Sequence, residues 1–146
     1  MAHITREEVV DILQRSDDLE QPASVPDDLS DLDLSGLDFS RGFLLHNIRF
    51  DRAKLCGARF CGKWIKDASF VGADLEGADF ENAILQQVNF TGAKLDRANL
   101  RGARIEGAII SQAQLSLATT GISSSQVWDI AAVVFRILRI LGALFK

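Results

Sequence analysis

The sequence predicts an all-β solenoid, in which the chain winds into stacked coils around an apolar core. The first observation is a period of five residues: from Phe50 to Leu115, every fifth residue is Phe, Leu or Ile. The second is a small residue, nearly always Ala, two positions before each large one. The third is Gly two positions after many of the large ones. This pattern follows neither the helix period of 3.6 nor the strand period of 2.

A five-residue unit can build such a coil if three residues are extended and two turn a corner. The small and the large apolar residue are two positions apart, so both face the inside of the coil. Gly, Asn or Asp at the corner tolerates the positive φ that a tight turn requires. Coils then stack about 4.8 Å apart through backbone hydrogen bonds. The absence of Pro after Pro26 agrees with a ladder that uses nearly every backbone N–H.

The repeats closely resemble the A(D/N)Lxx signature of the pentapeptide-repeat family, with the clearest matches at Ala73-Asp74-Leu75, Ala78-Asp79-Phe80 and Ala98-Asn99-Leu100. The resemblance implies a right-handed quadrilateral β-helix of about four coils, with about four repeats in each coil. On this interpretation, residues 1–28 form a short helix and a linker, residues 29–118 form the β-helix, and residues 119–146 form a C-terminal amphipathic helix.

Length and composition indicate one domain without a catalytic role. The chain has 146 residues and a formal net charge of −4, which is too small to indicate a nucleic-acid partner. No nucleophile–base pair, phosphate loop or metal-binding spacing is present, so we expect neither an enzyme nor a cofactor. We expect His3, His46, Cys56 and Cys61 to be ordinary surface residues, with both thiols reduced. The first twenty residues lack the basic and apolar regions of a signal peptide, and we expect a cytoplasmic protein.

The N-terminal residues predict a short amphipathic helix. Thr5 and Glu8 form a capping box, which indicates a helix from about Arg6. Its apolar stripe consists of Ile4, Val9, Ile12 and Leu13. The following segment through Pro22 and Pro26 reads as a linker. We expect the helix to fold back over the first coil, and the alternative is an arm that binds a partner.

Two departures from the repeat stand out. The five-residue spacing shifts by one before Phe50, so we expect an inserted residue between Gly42 and Ile48. Lys63 occupies a position that is otherwise Ala, although a buried, unpaired ammonium group is very costly. Either the coil distorts locally, or the Lys63 side chain extends outward past Trp64.

A coil of twenty residues would make residues n and n+20 vertical neighbours. The resulting outer columns are Lys54, Asp74 and Lys94; Arg59, Asp79 and Asn99; and Glu81 under Arg101. A further outer column contains Trp64, Ile84 and Arg104. Leu44 or Leu45 lies beneath Trp64, depending on where the inserted residue is accommodated. An apolar strip at a normally polar position predicts an interaction surface. Either the N-terminal helix covers this strip, or a partner protein binds it with Trp64 as the anchor.

Residues 127–145 predict a strongly apolar helix with one narrow polar stripe. The side chains expected to cap the β-helix or to form a dimer are Trp128, Val134, Phe135, Leu138, Leu141 and Phe145. Because covering one coil cannot use the whole apolar surface, the sequence favours a homodimer through this helix. The longest uninterrupted apolar run is too short to span a bilayer, but a wide apolar face beside a narrow cationic stripe also suits a membrane surface.

The leading functional hypothesis is a rigid, non-enzymatic scaffold whose faces bind a protein partner. The first alternative is known from some members of the family, which mimic DNA and inhibit or protect type II topoisomerases. Residues 27–118 hold 13 acidic and 11 basic side chains, whereas a DNA duplex carries one negative charge per about 1.7 Å. This near balance of charge argues against mimicry. The second alternative is attachment to a membrane surface through the C-terminal helix.

Overall fold

The computed structural model describes residues 4–15, 26–41 and 45–118, which form a β-helix flanked by two helices. The helices are α1 (Arg6–Arg15) and α2 (Gln112–Leu117), and the strands are β1 (Leu45–His46), β2 (Trp64–Lys66), β3 (Ile84–Gln86) and β4 (Arg104–Glu106). The strands form one sheet in the order β1-β2-β3-β4, and every neighbouring pair is parallel. Isolated parallel bridges continue this stacking on the other faces of the coil.

The corners explain the five-residue unit. Two positions after most of the large inward residues the backbone adopts positive φ, as at Gly57 (65°) and Arg52 (57°). The Asp or Asn before the large residue accepts a hydrogen bond from the N–H two positions further on, and Asp79 accepts from Glu81 at 3.1 Å. Where the repeat has Asp or Asn at this position, a short side chain with an acceptor oxygen therefore fixes the corner, which is the usual role of Asx residues in turns.

The coil length changes once along the chain. From β1 upward, paired residues are twenty positions apart, as in Leu45 with Ile65. In the first coil the separation is twenty-one, as in Asp38 with Arg59. The inserted residue therefore lies between Asp38 and Leu45, which confirms the insertion predicted from the shift in spacing. Residues 42–44 of this stretch lie outside the described residues.

The core consists of stacked side chains of one kind on each face. Two faces carry phenylalanine ladders, Phe39–Phe60–Phe80 and Phe50–Phe70–Phe90. Within a ladder the rings are 4.8–5.3 Å apart and nearly parallel, and across the core they meet edge to face at 5.7–6.1 Å. The other two faces carry Leu and Ile, and Ala at the small position leaves room for all of them.

Helix α1 covers the first coil. Val9 is fully buried in the core, and Ile4, Ile12 and Leu13 pack against it. The Arg6 guanidinium donates hydrogen bonds to the carbonyl oxygens of Asp33 and Ser35. In the higher coils, carbonyl oxygens at these repeat positions accept from the backbone of the coil below. Arg6 therefore supplies donors where no lower coil exists.

At the other end, the repeat pattern extends further than the β-helix. The sequence predicted repeats up to about Ala118, but the chain is helical from Gln112 to Leu117. The physical reason is a capping box, in which the Ser111 hydroxyl accepts from the Gln114 N–H while the Gln114 side chain accepts from the Ser111 N–H. Leu115 keeps its inward role from within the helix, because it packs against the core.

Candidate functional site

The candidate site is the outer surface of the sheet β1–β4. Trp64 pairs with Ile84, and Ile84 pairs with Arg104, which confirms the predicted column. Half of the Trp64 surface (50%) is exposed, and its indole meets the His46 ring edge to face at 5.0 Å. Helix α1 therefore leaves Trp64 accessible. Because β2 is hydrogen-bonded between β1 and β3, this side chain stands on a backbone held on both sides.

Leu45 corrects one detail of the predicted surface. Leu45 was a candidate for the outer strip, but it is fully buried and pairs with the inward residue Ile65. The insertion is complete before Leu45, so the residue joins the inner column, since a shift of one residue moves a side chain to the opposite face of a strand. Leu44, the other candidate, lies outside the described residues.

Lys63 lies beside this surface and is half-buried. Its backbone stays in register, because the Lys63 carbonyl oxygen accepts from the Ile84 N–H at 2.8 Å. The side chain extends to the carbonyl oxygen of Ser40, with Nζ 3.5 Å away. Burial lowers the pKa of Lys63, and the negative charge of Asp38 only partly opposes this effect. Of the two expected outcomes, a local distortion of the coil is therefore not seen. The backbone ladder stays regular, and the Lys63 side chain extends toward Ser40 instead.

The opposite face and one neighbouring face of the coil carry alternating charges, as the coil of twenty residues predicted. Parallel bridges join Asp33, Lys54, Asp74 and Lys94 in one column and Asp38, Arg59, Asp79 and Asn99 in another. The Lys94 ammonium lies 3.5 Å from the Asp74 carboxylate. The Asn99 amide donates to Asp79 at 3.0 Å. The backbone register also places Arg101 one coil above Glu81. The Gly62 N–H donates to the Glu81 carbonyl oxygen, and one coil higher the Asn82 N–H donates to the Arg101 carbonyl oxygen.

The carboxylates of these columns accept hydrogen bonds from backbone N–H groups at the turns and also pair with cationic side chains. Asp74 accepts from the Glu76 N–H at 3.3 Å. Burial raises the pKa of Asp74, but the Glu76 hydrogen bond, the Cys56 thiol and the Lys94 ammonium outweigh it, so the pKa lies below its usual range. These aspartates therefore belong to the architecture, and their charge is largely committed within the chain.

Both cysteines are free thiols at corners of the coil. The Cys61 thiol donates to the Asp79 carboxylate, with Sγ 2.9 Å from Oδ2. Burial and the hydrogen bond to Asp79 raise the pKa of Cys61, and burial with Asp74 does the same for Cys56. A thiol with a raised pKa is a weak nucleophile, so neither residue has the environment of a catalytic cysteine.

The described part of the chain holds neither a cluster of metal ligands nor a membrane-spanning helix. Within residues 4–15, 26–41 and 45–118, no three His, Cys, Asp or Glu side chains come together as metal ligands. Over the same ranges, none of the helices has both the length and the hydropathy to span a bilayer. The predicted capping or dimer residues Trp128, Val134, Phe135, Leu138, Leu141 and Phe145 lie outside the described residues.

Comparison with known proteins shows which protein family has this architecture. The family model for pentapeptide repeats matches residues 44–87 and 83–119, with eight copies. Among solved structures, the pentapeptide repeat protein Rfr23 from the cyanobacterium Cyanothece 51142 is 27% identical, with a TM-score of 0.53, over 67% of this chain and 63% of that protein. This chain thus spans less than two thirds of Rfr23, with which it shares a right-handed β-helix.

Two further structures are similar. A pentapeptide repeat protein from the thylakoid lumen of Arabidopsis thaliana is 32% identical, with a TM-score of 0.42, over 64% of this chain and 70% of that one. HetL, a pentapeptide repeat protein involved in heterocyst differentiation regulation from Nostoc sp. strain PCC 7120, is 24% identical, with a TM-score of 0.43, over 71% of this chain and 58% of its own. No curated protein sequence matches the chain.

Proposed function

The chain belongs to the pentapeptide-repeat family, and from that premise we propose that it is a non-enzymatic, rigid scaffold that binds a protein partner through the outer surface of its β1–β4 sheet. The observation that carries the proposal is the half-exposed indole of Trp64, with Ile84 directly above it. Elsewhere the same repeat position is mostly polar, as at Asp74 and Asn99. An exposed aromatic residue on a fixed backbone is the typical anchor of a protein interface.

Rigidity supports the same proposal. Nearly every coil donates backbone hydrogen bonds to the coil above and accepts them from the coil below, at 2.7–3.0 Å around Phe70. The backbone that carries the surface residues is therefore already fixed before binding. Little backbone freedom is lost on association, and the entropy cost of binding is reduced. His46 packs against one edge of the Trp64 ring and limits its motion further.

The arrangement of charges weighs against DNA mimicry. A mimic needs dense, uncompensated negative charge, because that is what a duplex presents. Here acidic side chains are stacked next to basic ones, as Asp74 is with Lys54 and Lys94 and Asp79 is with Arg59. Several carboxylates are also engaged by arginine, and Arg52 holds Asp31 through two hydrogen bonds of 2.6 and 2.7 Å.

Two further parts of the proposal concern assembly and compartment. A homodimer through residues 127–145 remains a proposal based on their amphipathic sequence, as does contact of the same residues with a membrane surface. A cytoplasmic location is proposed as well. It is supported by the free thiols of Cys56 and Cys61, since proteins in reducing compartments keep their cysteines unpaired.

Affinity capture with the full chain tests the interaction surface. Extracts of the native host are passed over the wild-type protein and over the Trp64→Ala variant, and the retained proteins are identified by mass spectrometry. We expect Trp64→Ala to lose a specific retained protein, because removing an interface anchor typically costs about 2 kcal/mol or more of binding energy. Candidates are then purified, and their affinity for both forms is measured.

The matched control is Lys54→Ala. Lys54 occupies the same repeat position on the opposite face and is also exposed. This variant should keep the partner that Trp64→Ala loses. Both variants should melt close to the wild-type temperature, because both side chains are substantially exposed. If Trp64→Ala and Lys54→Ala retain the same proteins as the wild type, the β1–β4 surface is not the binding surface.

A further inference from the structure

Lys63 occupies an inward repeat position that elsewhere mostly holds Ala, whose side chain is a single methyl group. Residues at this repeat position point into the coil, and Ala58, Ala68 and Ala83 around it are buried. Lys63 keeps the backbone ladder intact and remains half-buried along its stem. Its amine therefore leaves the core at a corner beside Trp64, partly desolvated but not enclosed.

The environment of this half-buried amine differs from that of the other described lysines. Lys54 is exposed to water. Lys94 and Lys66 have carboxylates within 3.5 and 3.9 Å, from Asp74 and Asp67 respectively. The contact of Lys63 is the neutral carbonyl oxygen of Ser40, at 3.5 Å, which is at the long limit for a hydrogen bond. A carboxylate stabilises the ammonium form, whereas desolvation favours the neutral amine. Among these four residues, Lys63 is the one whose surroundings favour the nucleophilic form, because it is half-buried without a carboxylate at salt-bridge distance among the described residues.

We propose that Nζ of Lys63 is an acylation site for thioester acyl donors. The neutral amine attacks the carbonyl carbon of the thioester, the new C–N bond forms, and the C–S bond breaks with its electron pair leaving on the thiolate. The nitrogen loses one proton, which the thiolate or water accepts, so no oxidant or reductant is needed. The direction of the Lys63 pKa agrees, because burial lowers it. Each unit by which an amine pKa falls multiplies its neutral fraction about tenfold at neutral pH.

Acylation would also remove an unfavourable charge. The ammonium group of Lys63 is partly desolvated, and no carboxylate of the described residues lies within salt-bridge distance of it, although the negative charge of Asp38 acts on it from further away. An N-acyl lysine is neutral, and its amide N–H can still donate to the Ser40 carbonyl. Modification at Lys63 should therefore stabilise the fold, whereas loss of the charge of Lys94 removes its attraction to Asp74 and should not.

The test is site-resolved acetylation of the full chain by acetyl-CoA. The protein is incubated at about pH 8, the reaction is stopped at low conversion, and the acetylated fraction of each lysine is measured by mass spectrometry after digestion. We expect Lys63 to react at least about twofold faster than Lys54, Lys66 and Lys94. The same reaction in urea should lose this preference, because the preference comes from the folded environment.

Two variants complete the design. Lys63→Arg should abolish the dominant site without changing the rates at the other lysines. Lys63→Gln, which imitates the acylated state, should melt at a higher temperature than Lys63→Arg, whereas Lys94→Gln should not melt above Lys94→Arg. The proposal is overturned if Lys63 reacts no faster than the other three lysines, or if its preference persists in urea.

Discussion

The side-chain amide of Gln114 donates a hydrogen bond of 2.8 Å to the carbonyl oxygen of Ala93. One coil lower, the carbonyl oxygen of Ala73 accepts from the backbone N–H of Lys94 at 2.9 Å. The amide of Gln114 thus replaces the backbone donor that another coil would have supplied. Arg6 has the corresponding role at the first coil, where it donates to two carbonyl oxygens. At both ends of the described β-helix, side-chain donors therefore bond backbone carbonyl groups that a further coil would otherwise have engaged.

Replacing Gln114 should open the upper end. Gln114→Ala removes both the capping box and the donor to Ala93, and we expect it to lower the free energy of unfolding by about 1–3 kcal/mol. Gln114→Glu keeps the acceptor for the Ser111 N–H but has no amide donor, and it sets a carboxylate against carbonyl oxygens. It should therefore be no more stable than Gln114→Ala. Urea denaturation compares the two, and a wild-type stability of Gln114→Glu would show that only the capping box matters.

The phenylalanine ladders should tolerate little change in volume. The Phe60 ring stacks between those of Phe39 and Phe80, at 5.0 and 4.8 Å. Phe60→Ala should lower the free energy of unfolding by about 3–5 kcal/mol, because it leaves a cavity in the middle of the stack. Phe60→Leu keeps much of the volume and should cost less, about 1–2 kcal/mol.

The control for this series is Leu117→Ala, at a residue that is 55% exposed. Its effect on the free energy of unfolding should stay within about 0.5 kcal/mol, as is usual at exposed positions. Calorimetry or urea denaturation gives all three values. An equal effect of Phe60→Ala and Leu117→Ala would contradict the ladder as a source of stability.

Asp74 should show which property of the signature aspartate matters. Asp74→Asn keeps the oxygen that accepts from the Glu76 N–H but loses the charge, so at neutral pH it should cost less than Asp74→Ala, which should cost about 1 kcal/mol. Because the pKa of Asp74 is lowered in the folded state, its charge contributes stability above the unfolded pKa of about 3.9. That contribution is lost as the pH falls below this value through the folded pKa. Urea denaturation as a function of pH should therefore show a weaker loss of stability in acid for Asp74→Asn than for the wild type.

The sequence predicted which side chains face the interior, but it did not predict which side chains bond to backbone groups. The five-residue phase places Phe60 and Leu75 inside. The coil of twenty residues, which the family resemblance implies, places Lys54 beneath Asp74. It does not show that Arg6 and Gln114 close the ends, since their partners are carbonyl groups that every residue has. For Gln114 a signal was present, because Ser111 three residues earlier completes a capping box. Leu45 was misplaced because the spacing leaves the exact position of the insertion open by one residue.

Two glycines at equivalent corners should differ in how well they accept a side chain. Gly57 and Gly102 both have positive φ, 65° and 67°, so Ala at either position is strained by about 1 kcal/mol. A Cβ at Gly57 meets open space, whereas at Gly102 it would lie 2.2 Å from Oδ1 of Asn82. Gly102→Ala should therefore destabilise more than Gly57→Ala. The extra cost should disappear in the Asn82→Ala background, which a double-mutant cycle of unfolding free energies measures.

The pH dependence of Lys63 gives a further check. Its pKa is lower in the folded state than in the unfolded chain, so below the folded pKa the charge reduces stability. Between the folded pKa and the unfolded value of about 10.4, stability increases as the pH rises, because the folded state loses its proton first. Lys63→Met keeps the apolar stem without the charge and should be more stable than the wild type at neutral pH. The difference should shrink as the pH approaches 10, and a constant difference would point to packing instead.

The alternation of Asp33, Lys54, Asp74 and Lys94 along one face constrains how such a rod can lengthen during evolution. Duplicating a single coil of twenty residues would copy one member of the column and place it against itself, either aspartate on aspartate or lysine on lysine. Duplicating two successive coils would preserve every opposite-charge contact. Each such contact is worth only about 0–1 kcal/mol, but neighbouring columns would carry similar mismatches, as where Arg59 lies beneath Asp79. Growth in pairs of coils is therefore the route that leaves the outer faces electrostatically unchanged.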